Sequence, residues 1–386
     1  MQPFDLHPRT RIVFGPNVSN QINELARSLG GVLDSGRPRV LVVCDPGIVA
    51  AGHFDRITGL LRDNDWEVHA FHEFAENPTS AMVDAGVSVA ADFQPDLLIG
   101  LGGGSSMDCA KGINFVYSCG GRIHDYHGVG KATSEMLPMI AIPTTAGTGS
   151  EAQSFALISD AETHVKMACG DPKAACRIAL LDPTFTLTQP RGVTALTGID
   201  AISHAVETYV SKKRNVMSTT YSRRAFGLLA RSFVRVLQVP DDLEARADMQ
   251  LGACLAGMAI ETSMLGAAHA TANPLTARHN VVHGQAVGLM LPAVVRFNGT
   301  VHADWYSELL RELEPHSEVS EAPTRLAELI EEWMREADLA TTLDDLSIPT
   351  SDIGLFVEDA LKQWTGTFNP IELDEDSTRA LYREVV

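Results

Sequence analysis

Four side chains in the second half of the sequence have the types and spacing that bind a metal ion. Asp200 and His204 lie in a segment with helical periodicity, TGIDAISHAVETYVS, where residues four apart share one helix face. His269 in LGAAHATANPL and His283 in NVVHGQAVGLMLP follow in apolar, glycine-flanked loops, where unpaired polar groups are costly. One oxygen and three nitrogens suit Fe(II) or Zn(II), and a substrate oxygen could complete the coordination.

Each of these residues also has an ordinary structural interpretation when it is taken alone. An Asp and a His one helical turn apart are often a surface or capping contact, and a buried His is often only hydrogen-bonded. The chain has 13 histidines, so some fall near each other by chance. The metal hypothesis therefore depends on the whole set and on the segments that precede it.

The composition is that of a soluble globular protein with an excess of acidic residues. The 386 residues are 45% hydrophobic and 20% charged, and the length favours two domains. A net charge of −19 argues against nucleic acid or an anionic membrane as partner, because both attract cationic surfaces. The six cysteines form no CxxC pair, and no run has the apolar character of a signal peptide or a membrane span. We therefore expect a cytoplasmic protein with reduced thiols.

The two halves of the chain differ in their predicted secondary structure. Apolar runs predict strands at 39–45, 67–74, 96–104, 139–145 and 178–183, with helices near 50–64 and 79–93 between them. This alternation indicates a parallel sheet covered on both faces. Amphipathic patterns predict helices at 194–212, 217–237, 243–260, 284–297, 322–338 and 351–363. The sequence therefore predicts an α/β domain over 1–188 and an all-helical domain over 189–386.

Two polar loops follow neighbouring predicted strands in the first half. GLGGGSSMDCAKG (100–112) opens a helix, and its glycines would let backbone N–H groups approach a pyrophosphate beside the helix N-terminus. Ser105 stands where a complete GxGxxG fingerprint has its third glycine, and a tight strand–helix turn is the alternative. PTTAGTGSEA (143–152) follows the next strand. Loops at adjacent strand ends would form the crevice in which open α/β sheets bind ligands.

Asp45 ends the first strongly apolar strand and precedes Pro46 and Gly47. A carboxylate at this position could accept hydrogen bonds from an adenosine ribose and would repel a 2′-phosphate. The position therefore predicts NAD rather than NADP as the cofactor. Capping of the following helix is the alternative role of the same carboxylate.

The segments together resemble the iron-dependent (group III) alcohol dehydrogenase family over nearly the whole chain. GGGSSMDCAKG looks like the family's cofactor loop, and IPTTAGTGSE is close to its second signature. TGIDAISHAVETYVS and NVVHGQAVGLMLPAVVRFN are similar to its ligand-bearing segments, and ENPT (76–79) and FNP (368–370) match in order. The resemblance implies an N-terminal dinucleotide-binding domain, a C-terminal helical domain, and an active-site cleft between them.

The resemblance also implies roles for individual residues. It makes Asp200, His204, His269 and His283 the metal ligands. The implied cofactor contacts are Asp45, Asn77, Gly103, Gly104, Ser105, Thr144, Thr145, Thr148 and Lys166. Many relatives have a further histidine near the nicotinamide where this chain has Asn273, whose amide cannot relay a proton. We therefore consider Asn273 a group that fixes substrate or water, and His279 an alternative proton relay.

The activity implied by the resemblance is reversible hydride transfer between a small alcohol and its aldehyde or ketone. NAD would accept the hydride, and one divalent metal, Fe(II) in preference to Zn(II), would act as Lewis acid. We also expect a homodimer or a larger homo-oligomer.

Other activities remain open on the same scaffold. One alternative is a reductase or transhydrogenase for a hydroxy or oxo acid, of the 4-hydroxyacid or maleylacetate type. Such an enzyme would need a cation for the substrate carboxylate, for which Arg278 and Lys166 are the candidates. A lyase of the dehydroquinate-synthase type fits the ligand set less well, and a nucleotide-binding regulator without turnover fits the two binding halves less well.

Overall fold

The computed structural model describes residues 4–29 and 37–386, which form two compact units. The α/β unit comprises His7–Thr145 and Ser150–Gln189. The helical unit comprises Pro190–Val386 together with residues 4–6 and 146–149. The segment 146–149 therefore packs with the helices, although it lies between two strands of the α/β unit in the sequence.

The α/β unit contains all the strands found in the described residues. The strands are β1 (Arg11–Phe14), β2 (Arg39–Val43), β3 (Glu67–Phe71), β4 (Leu97–Gly102), β5 (Gly128–Val129), β6 (Met139–Pro143), β7 (Phe155–Ser159), β8 (Lys166–Gly170) and β9 (Ile178–Leu181). The helices of this unit are α1 (Ile22–Arg27), α2 (Pro46–Ala50), α3 (His53–Arg62), α4 (Ser80–Phe93) and α5 (Gly104–Cys119).

A parallel sheet of six strands forms the centre of the described α/β unit. Its order is β1-β9-β6-β4-β2-β3. Alternate side chains of β2, such as Val40 and Leu41, belong to apolar clusters on opposite faces. Helices α1 and α3 cover one face, and α4 and α5 cover the other. The prediction of a parallel sheet covered on both faces is confirmed.

Two parts of the α/β unit differ from the sequence-based prediction. Strand β1 lies at the edge of the sheet with its residues partly or fully exposed, so it lacks a continuous apolar run. A second sheet, of order β5-β8-β7, contains an antiparallel hairpin of β7 and β8. Strand β7 alternates between buried and less buried residues. The prediction omitted these strands because it looked for runs buried on both faces.

The helical unit is built around one deeply buried helix, α6. Its helices are α6 (Arg191–Val210), α7 (Val216–Gln238), α8 (Leu243–Ser263), α9 (Ala267–His279), α10 (His283–Leu310), α11 (Ala322–Glu336), α12 (Ile353–Ala360) and α13 (Glu375–Glu384). Helices α7, α8 and α10 pack around α6. Among the described residues no single helix has the length and apolar composition to cross a membrane; α8 and α9, bent by 105°, meet that test jointly, on length and composition alone.

The all-helical prediction for the second half is confirmed, but α9 and α13 were not predicted. Helix α9 consists mainly of small and polar residues and contains Pro274, so it shows no apolar stripe in the sequence. Its helical form depends on tertiary packing rather than on amphipathic pattern. The loop environment expected for His269 and His283 is therefore wrong, because His269 lies in the first turn of α9 and His283 begins α10.

Candidate functional site

Helix α6 presents three acidic or imidazole side chains on one face. Asp200, His204 and Glu207 follow at intervals of four and three residues, which places them on successive turns of the same side. All three are almost fully buried, with exposed fractions of 5%, 4% and 3%. A buried face of this polarity is unusual for a core helix and requires partners from other elements.

The partners come from the first turns of two further helices, α9 and α10. His269 is the third residue of α9, and His283 is the first residue of α10. Gly284 explains how α10 begins so close to α6. A Cβ atom at Gly284 would overlap the carbonyl oxygen of Leu196, so no larger residue fits there without a shift of the backbone.

The four predicted ligands converge on one carboxylate oxygen, Oδ1 of Asp200. The Nε2 atoms of His204, His269 and His283 lie 3.4, 3.7 and 3.8 Å from it. One ligand atom each from Asp200, His269 and His283 lie within 4.8 Å of one another. The ring of His204 stacks on that of His269 at 5.0 Å between centroids. The structure therefore brings all four together, with the three-residue group as its tightest part.

The cluster leaves several buried polar atoms without hydrogen bonds. Asp200 Oδ1, His204 Nδ1 and His269 Nε2 are inaccessible and have no hydrogen-bond partner within residues 4–29 and 37–386. Each such atom costs on the order of 1–3 kcal/mol, so a cluster of them is not an ordinary structural feature. A divalent ion would satisfy Asp200 Oδ1 and His269 Nε2, and one oxygen with imidazole nitrogens is a donor set that such an ion prefers. The residues present therefore fit a metal ion.

The electrostatics of the cluster follow from burial and from the mixture of charges. Burial alone would raise the pKa of Asp200, but the surrounding imidazoles lower it below its ordinary value. Burial lowers the pKa of His204. Burial would also lower the pKa of His269, but the carboxylates of Glu207 and Asp200 outweigh it and raise the pKa to about 9. The carboxylate of Asp200 therefore stays ionised in this site.

In the α/β unit, the carboxylate of Asp45 caps the helix that follows it, which is the alternative to ribose binding. It precedes α2, and its Oδ1 accepts hydrogen bonds from the backbone N–H groups of Gly47 and Ile48 at 2.8 and 3.2 Å. Its second oxygen, Oδ2, lies 3.4 Å from the hydroxyl of Ser106 in α5. The carboxylate is half-buried at the end of β2. Capping uses one oxygen, so the cap and a role in binding are compatible.

The predicted phosphate loop lies where β4 passes into α5. Gly102 has φ +143, and a Cβ atom there would overlap the hydroxyl of Ser106, so the turn requires glycine. Gly103 precedes α5 and lies beside Thr145, and Gly104 is the first residue of that helix. The backbone N–H of Thr144 donates to Gly102 at 3.0 Å. The glycines and the two threonines are therefore adjacent at the ends of β4 and β6.

Asn77 and Lys166 join this loop through Ser105. The backbone N–H of Asn77, a residue with φ +55, donates to Ser105 Oγ at 3.2 Å. Lys166 Nζ, at the start of β8, donates to Asn77 Oδ1 at 3.3 Å. Lys166 is thus linked through Asn77 to Ser105, and all three are predicted cofactor residues. Thr148 lies in the segment 146–149 of the helical unit.

Comparison with known families decides the relationship of this chain. Residues 8–183 match the iron-containing alcohol dehydrogenase family, and residues 194–386 match the C-terminal Fe-containing alcohol dehydrogenase family. The chain is 33% identical over 363 residues to alcohol dehydrogenase 4 of Schizosaccharomyces pombe, a match that covers 94% of this chain and 86% of that protein. The chain belongs to the iron-containing alcohol dehydrogenase family. The resemblance inferred from the motifs is therefore confirmed.

Solved structures agree with this assignment. The chain is similar to 1,3-propanediol oxidoreductase, with a TM-score of 0.94, 30% identity and complete coverage of both chains. It is also similar to sulfoacetaldehyde reductase from Bifidobacterium kashiwanohense in complex with NAD⁺, with a TM-score of 0.88, 26% identity and coverage of 100% and 99%. As a member of the iron-containing alcohol dehydrogenase family, the protein is an oxidoreductase that acts on CH–OH groups.

The residues predicted for proton transfer in this dehydrogenase lie further along α9. Asn273 follows His269 by one helical turn, and its Nδ2 donates to Gln363 Oε1 at 2.9 Å. His279 ends α9, and its Nε2 lies 3.1 Å from Asp352 Oδ2. The stretch of helix from His269 to His279 spans about 15 Å along the axis. Asn273 is therefore one helical turn from His269, whereas His279 is about 15 Å from it along the axis.

Sequence reasoning missed two buried residues of this dehydrogenase. Glu207 accepts one hydrogen bond from His269, and its position on the same helix face as Asp200 and His204 was a usable signal. Lys111 lies in the cofactor-loop motif, where its sequence pattern predicts only a helical lysine. Its Nζ donates to oxygens of Ser150, among others, and it is fully buried, which no pattern in the sequence indicates.

Proposed function

We propose that this protein is a metal-dependent, NAD-linked alcohol dehydrogenase that interconverts a small alcohol and its aldehyde or ketone. The observation that carries the proposal is the buried cluster of Asp200 with three imidazoles, which contains polar atoms without hydrogen bonds. Membership of the iron-containing alcohol dehydrogenase family supports both the metal and the reaction class.

Asp200, His204, His269 and His283 would hold the ion. Their burial excludes bulk water from three of the four side chains, and His283, which is half-exposed, provides the more open side. A bound divalent ion supplies Lewis acidity that polarises the oxygen of the alcohol or carbonyl group. Fe(II) is the ion we propose, following the family, and Zn(II) suits the same donor set.

NAD supplies the hydride acceptor, and the α/β unit would bind it. The backbone N–H groups at the start of α5, in the turn of Gly103, Gly104 and Ser105, would receive the pyrophosphate. Thr144 and Thr145 border that turn, and we propose Thr148 as a further contact on the segment 146–149. The NAD⁺-bound sulfoacetaldehyde reductase supports this choice of cofactor.

The ribose end of the cofactor would meet the residues around β2. Oδ2 of Asp45, which lies 3.4 Å from the Ser106 hydroxyl, would also accept from a ribose hydroxyl, while Oδ1 caps α2. Asn77 and Lys166 would act as one hydrogen-bonded pair beside Ser105. These three polar groups would provide the few hydrogen bonds that fix the orientation of a bound cofactor.

Asn273 would orient substrate or water beside the metal site, and His279 would not act as the proton relay. The amide of Asn273 is fixed by Gln363 one turn from His269, so it can orient substrate or water but cannot titrate. We expect Asn273→His to add an ionisation to the pH profile of kcat/KM, and His279→Ala to leave the profile unchanged. Loss of an ionisation in His279→Ala would make that histidine the relay instead.

The hydroxy-acid alternative lacks support in the structure. Arg278, the cation considered for a substrate carboxylate, is paired with Asp359 at 2.7 Å. Lys166 is occupied by its contact with Asn77. We therefore retain a neutral alcohol or aldehyde as the substrate class, while the cytoplasmic location and the homodimer or larger assembly stay predictions.

The direct test is NADH absorbance in the metal-loaded protein with a panel of C2–C6 alcohols and the matching aldehydes. We expect NAD⁺ reduction with alcohols and NADH oxidation with aldehydes, and both should disappear after metal removal and return when the ion is restored. Turnover that survives complete metal removal would contradict the proposal. Turnover only with hydroxy or oxo acids would favour the alternative.

A further inference from the structure

Both oxygens of the Glu207 carboxylate bind the first turn of α9. Oε2 lies 2.5 Å from Nδ1 of His269, and Oε1 accepts the backbone N–H of Ala268 at 2.6 Å. The side chain is almost fully buried, so water does not compete for either oxygen. Helix α6 therefore contributes Asp200 and His204 to the cluster and also fixes the ring that approaches them from α9.

The contact with Glu207 determines which nitrogen of His269 is available. An ionised carboxylate only accepts hydrogen bonds, so Nδ1 of His269 must carry the proton. An imidazole that binds a metal is neutral and keeps one N–H, so its lone pair is then on Nε2. This is the nitrogen that is buried without a hydrogen bond and lies 3.7 Å from Oδ1 of Asp200. The protonation pattern and the orientation of the ring agree.

The backbone around His269 is fixed at the same point. Gly266 precedes α9 and has no side chain with which to cap it, so the first N–H groups depend on distant residues. Glu207 accepts from Ala268, and Asn369 Oδ1 lies 3.4 Å from the N–H of Ala267. Asn369 is itself held by a reciprocal pair of amide hydrogen bonds with Asn298. The helix end and the imidazole are thus oriented together.

We propose that Glu207 is a positioning residue that sets the tautomer and orientation of His269 for metal binding. The inference rests on the proposed metal site, which it extends to a residue that does not touch the ion. Carboxylates in this arrangement raise the basicity of the ligating imidazole and restrict its rotation.

A purely structural role is the competing explanation, because the carboxylate also caps α9. Glu207→Gln separates the two. The glutamine side chain has nearly the same shape, but only one of its two terminal atoms accepts hydrogen bonds. If that oxygen takes the N–H of Ala268, the amide group faces His269 Nδ1 as a donor and favours the tautomer whose Nε2 cannot bind a metal. The cap can therefore survive while the ligand is disabled.

The experiment measures Zn²⁺ affinity of the metal-free protein by competition with a chromophoric chelator. We expect Glu207→Gln to weaken Zn²⁺ binding by about 10–100-fold. The matched control is Tyr382→Phe, which removes a buried hydrogen bond of 2.6 Å from Tyr382 Oη to the backbone oxygen of Thr271 on the same helix. This control should lower the Tm of the metal-free protein and leave Zn²⁺ affinity unchanged.

The outcomes separate the inference from the proposed function. If the unmodified protein binds no Zn²⁺, the metal site itself is wrong. If the unmodified protein binds Zn²⁺ and Glu207→Gln binds it equally well with a lower Tm, Glu207 is only a cap and the inference fails. An equal loss of affinity in Tyr382→Phe would also overturn it, because any loosening of α9 would then suffice.

A second measurement needs no variant at Glu207 to fold. In the Zn²⁺-loaded protein labelled with ¹⁵N-histidine, the resonances of His269, assigned by their loss in His269→Gln, should show a protonated Nδ1 and a metal-bound Nε2. A metal-bound Nδ1 would exclude the hydrogen bond to Glu207 and overturn the inference.

Discussion

Lys111 in the α/β unit and Asp200 in the helical unit are both buried charges, but their surroundings are opposite. Nζ of Lys111 lies within 2.6–3.0 Å of four oxygens, from Ser150, Gln153 and Phe155. Oδ1 of Asp200 has no hydrogen bond and faces three imidazole nitrogens at 3.4 Å or more. A buried charge with complete hydrogen bonding holds the fold together, whereas one with an incomplete set indicates a binding site.

The hydrogen bonds of Lys111 connect two segments of the α/β unit. The lysine belongs to α5, and its partners lie in the segment from Ser150 to Phe155, which leads into β7. Ser150 Oγ also donates to Asp108 at 2.8 Å, so a partly buried carboxylate shares the network. The network fixes the helix of the cofactor loop to the second sheet without any external ligand.

We expect Asp200→Ala to have the largest effect on activity. We expect kcat/KM for alcohol oxidation to fall by about 10³-fold, because loss of the ion removes several kcal/mol of stabilisation of the reacting oxygen. The Tm of the metal-free variant should fall only slightly, because the imidazoles favour the charge of Asp200 but burial opposes it and Oδ1 accepts no hydrogen bond from the described residues. Steady-state kinetics and thermal unfolding measure the two effects. A large Tm loss in the metal-free state would show that Asp200 is structural.

Lys111→Met tests whether the buried lysine of the α/β unit stabilises the fold. We expect the free energy of unfolding to fall by about 3–5 kcal/mol, because Asp108 loses its neighbouring cation and four oxygens lose their donor. Zn²⁺ affinity of the helical unit should stay the same. Urea unfolding of the metal-free protein gives the first quantity, and chelator competition gives the second. An unchanged unfolding midpoint would refute the structural role.

Asp182 is a buried carboxylate with several hydrogen bonds, so it can be compared directly with Asp200. It accepts hydrogen bonds from Asn17, Ser19 and Thr184 and pairs with Arg56 at 3.2 Å. Burial alone would raise the pKa of Asp182, but these hydrogen bonds lower it. We expect Asp182→Asn to cost about 2 kcal/mol at pH 7, in contrast to Asp200→Ala.

The pH dependence of that loss has a definite sign. A carboxylate whose folded-state pKa is depressed stabilises the protein fully above its unfolded-state pKa of about 3.9, and this contribution disappears as pH falls through the lower folded-state value. The difference in unfolding free energy between the unmodified protein and Asp182→Asn should therefore shrink below about pH 4. Urea titrations at neutral and at acidic pH would check it, and a constant difference would contradict it.

The smallest expected effect concerns Asp45, whose two oxygens have different tasks. Asp45→Ser keeps an oxygen to cap α2 and removes the charge that would repel a 2′-phosphate. We expect the ratio of kcat/KM for NAD over NADP to fall by about tenfold, which corresponds to about 1.4 kcal/mol. Thermal unfolding serves as the control for the cap. Equal use of both cofactors by the unmodified protein would leave Asp45 with capping alone.

The sequence predicted those features whose cause is local. Strands β2, β4, β6 and β9 are continuous apolar runs because they are buried on both faces, and α6 shows its ligands at helical spacing. Helix α9 was missed because small residues and Pro274 give it no apolar stripe, and its stability comes from neighbours. Edge strand β1 was missed because exposure interrupts its pattern.

The candidate site likewise contains residues that the sequence predicts and contacts that it does not. The helical spacing of Asp200 and His204 predicts that they share one face. The hydrogen bond between Glu207 and His269 joins residues 62 positions apart, and that between Asn273 and Gln363 joins residues 90 positions apart. Burial of Lys111 likewise depends on where the segment after residue 149 packs. Contacts between distant segments are set by tertiary packing, and a single sequence contains no periodicity that reveals them.

His269 lies in the first turn of α9 and His283 begins α10, so two of the four proposed ligands stand at the positive ends of helix dipoles. A helix N-terminus disfavours a nearby cation by typically about 0.3–1 kcal/mol, and Asp200 is the single carboxylate among the four. The four ligands alone would thus compensate the charge of a divalent ion only partly, and the buried carboxylate of Glu207 behind His269 would supply a second negative charge. Two preparations of one polypeptide that differ in metal content would then differ in catalytic competence, with no difference in sequence.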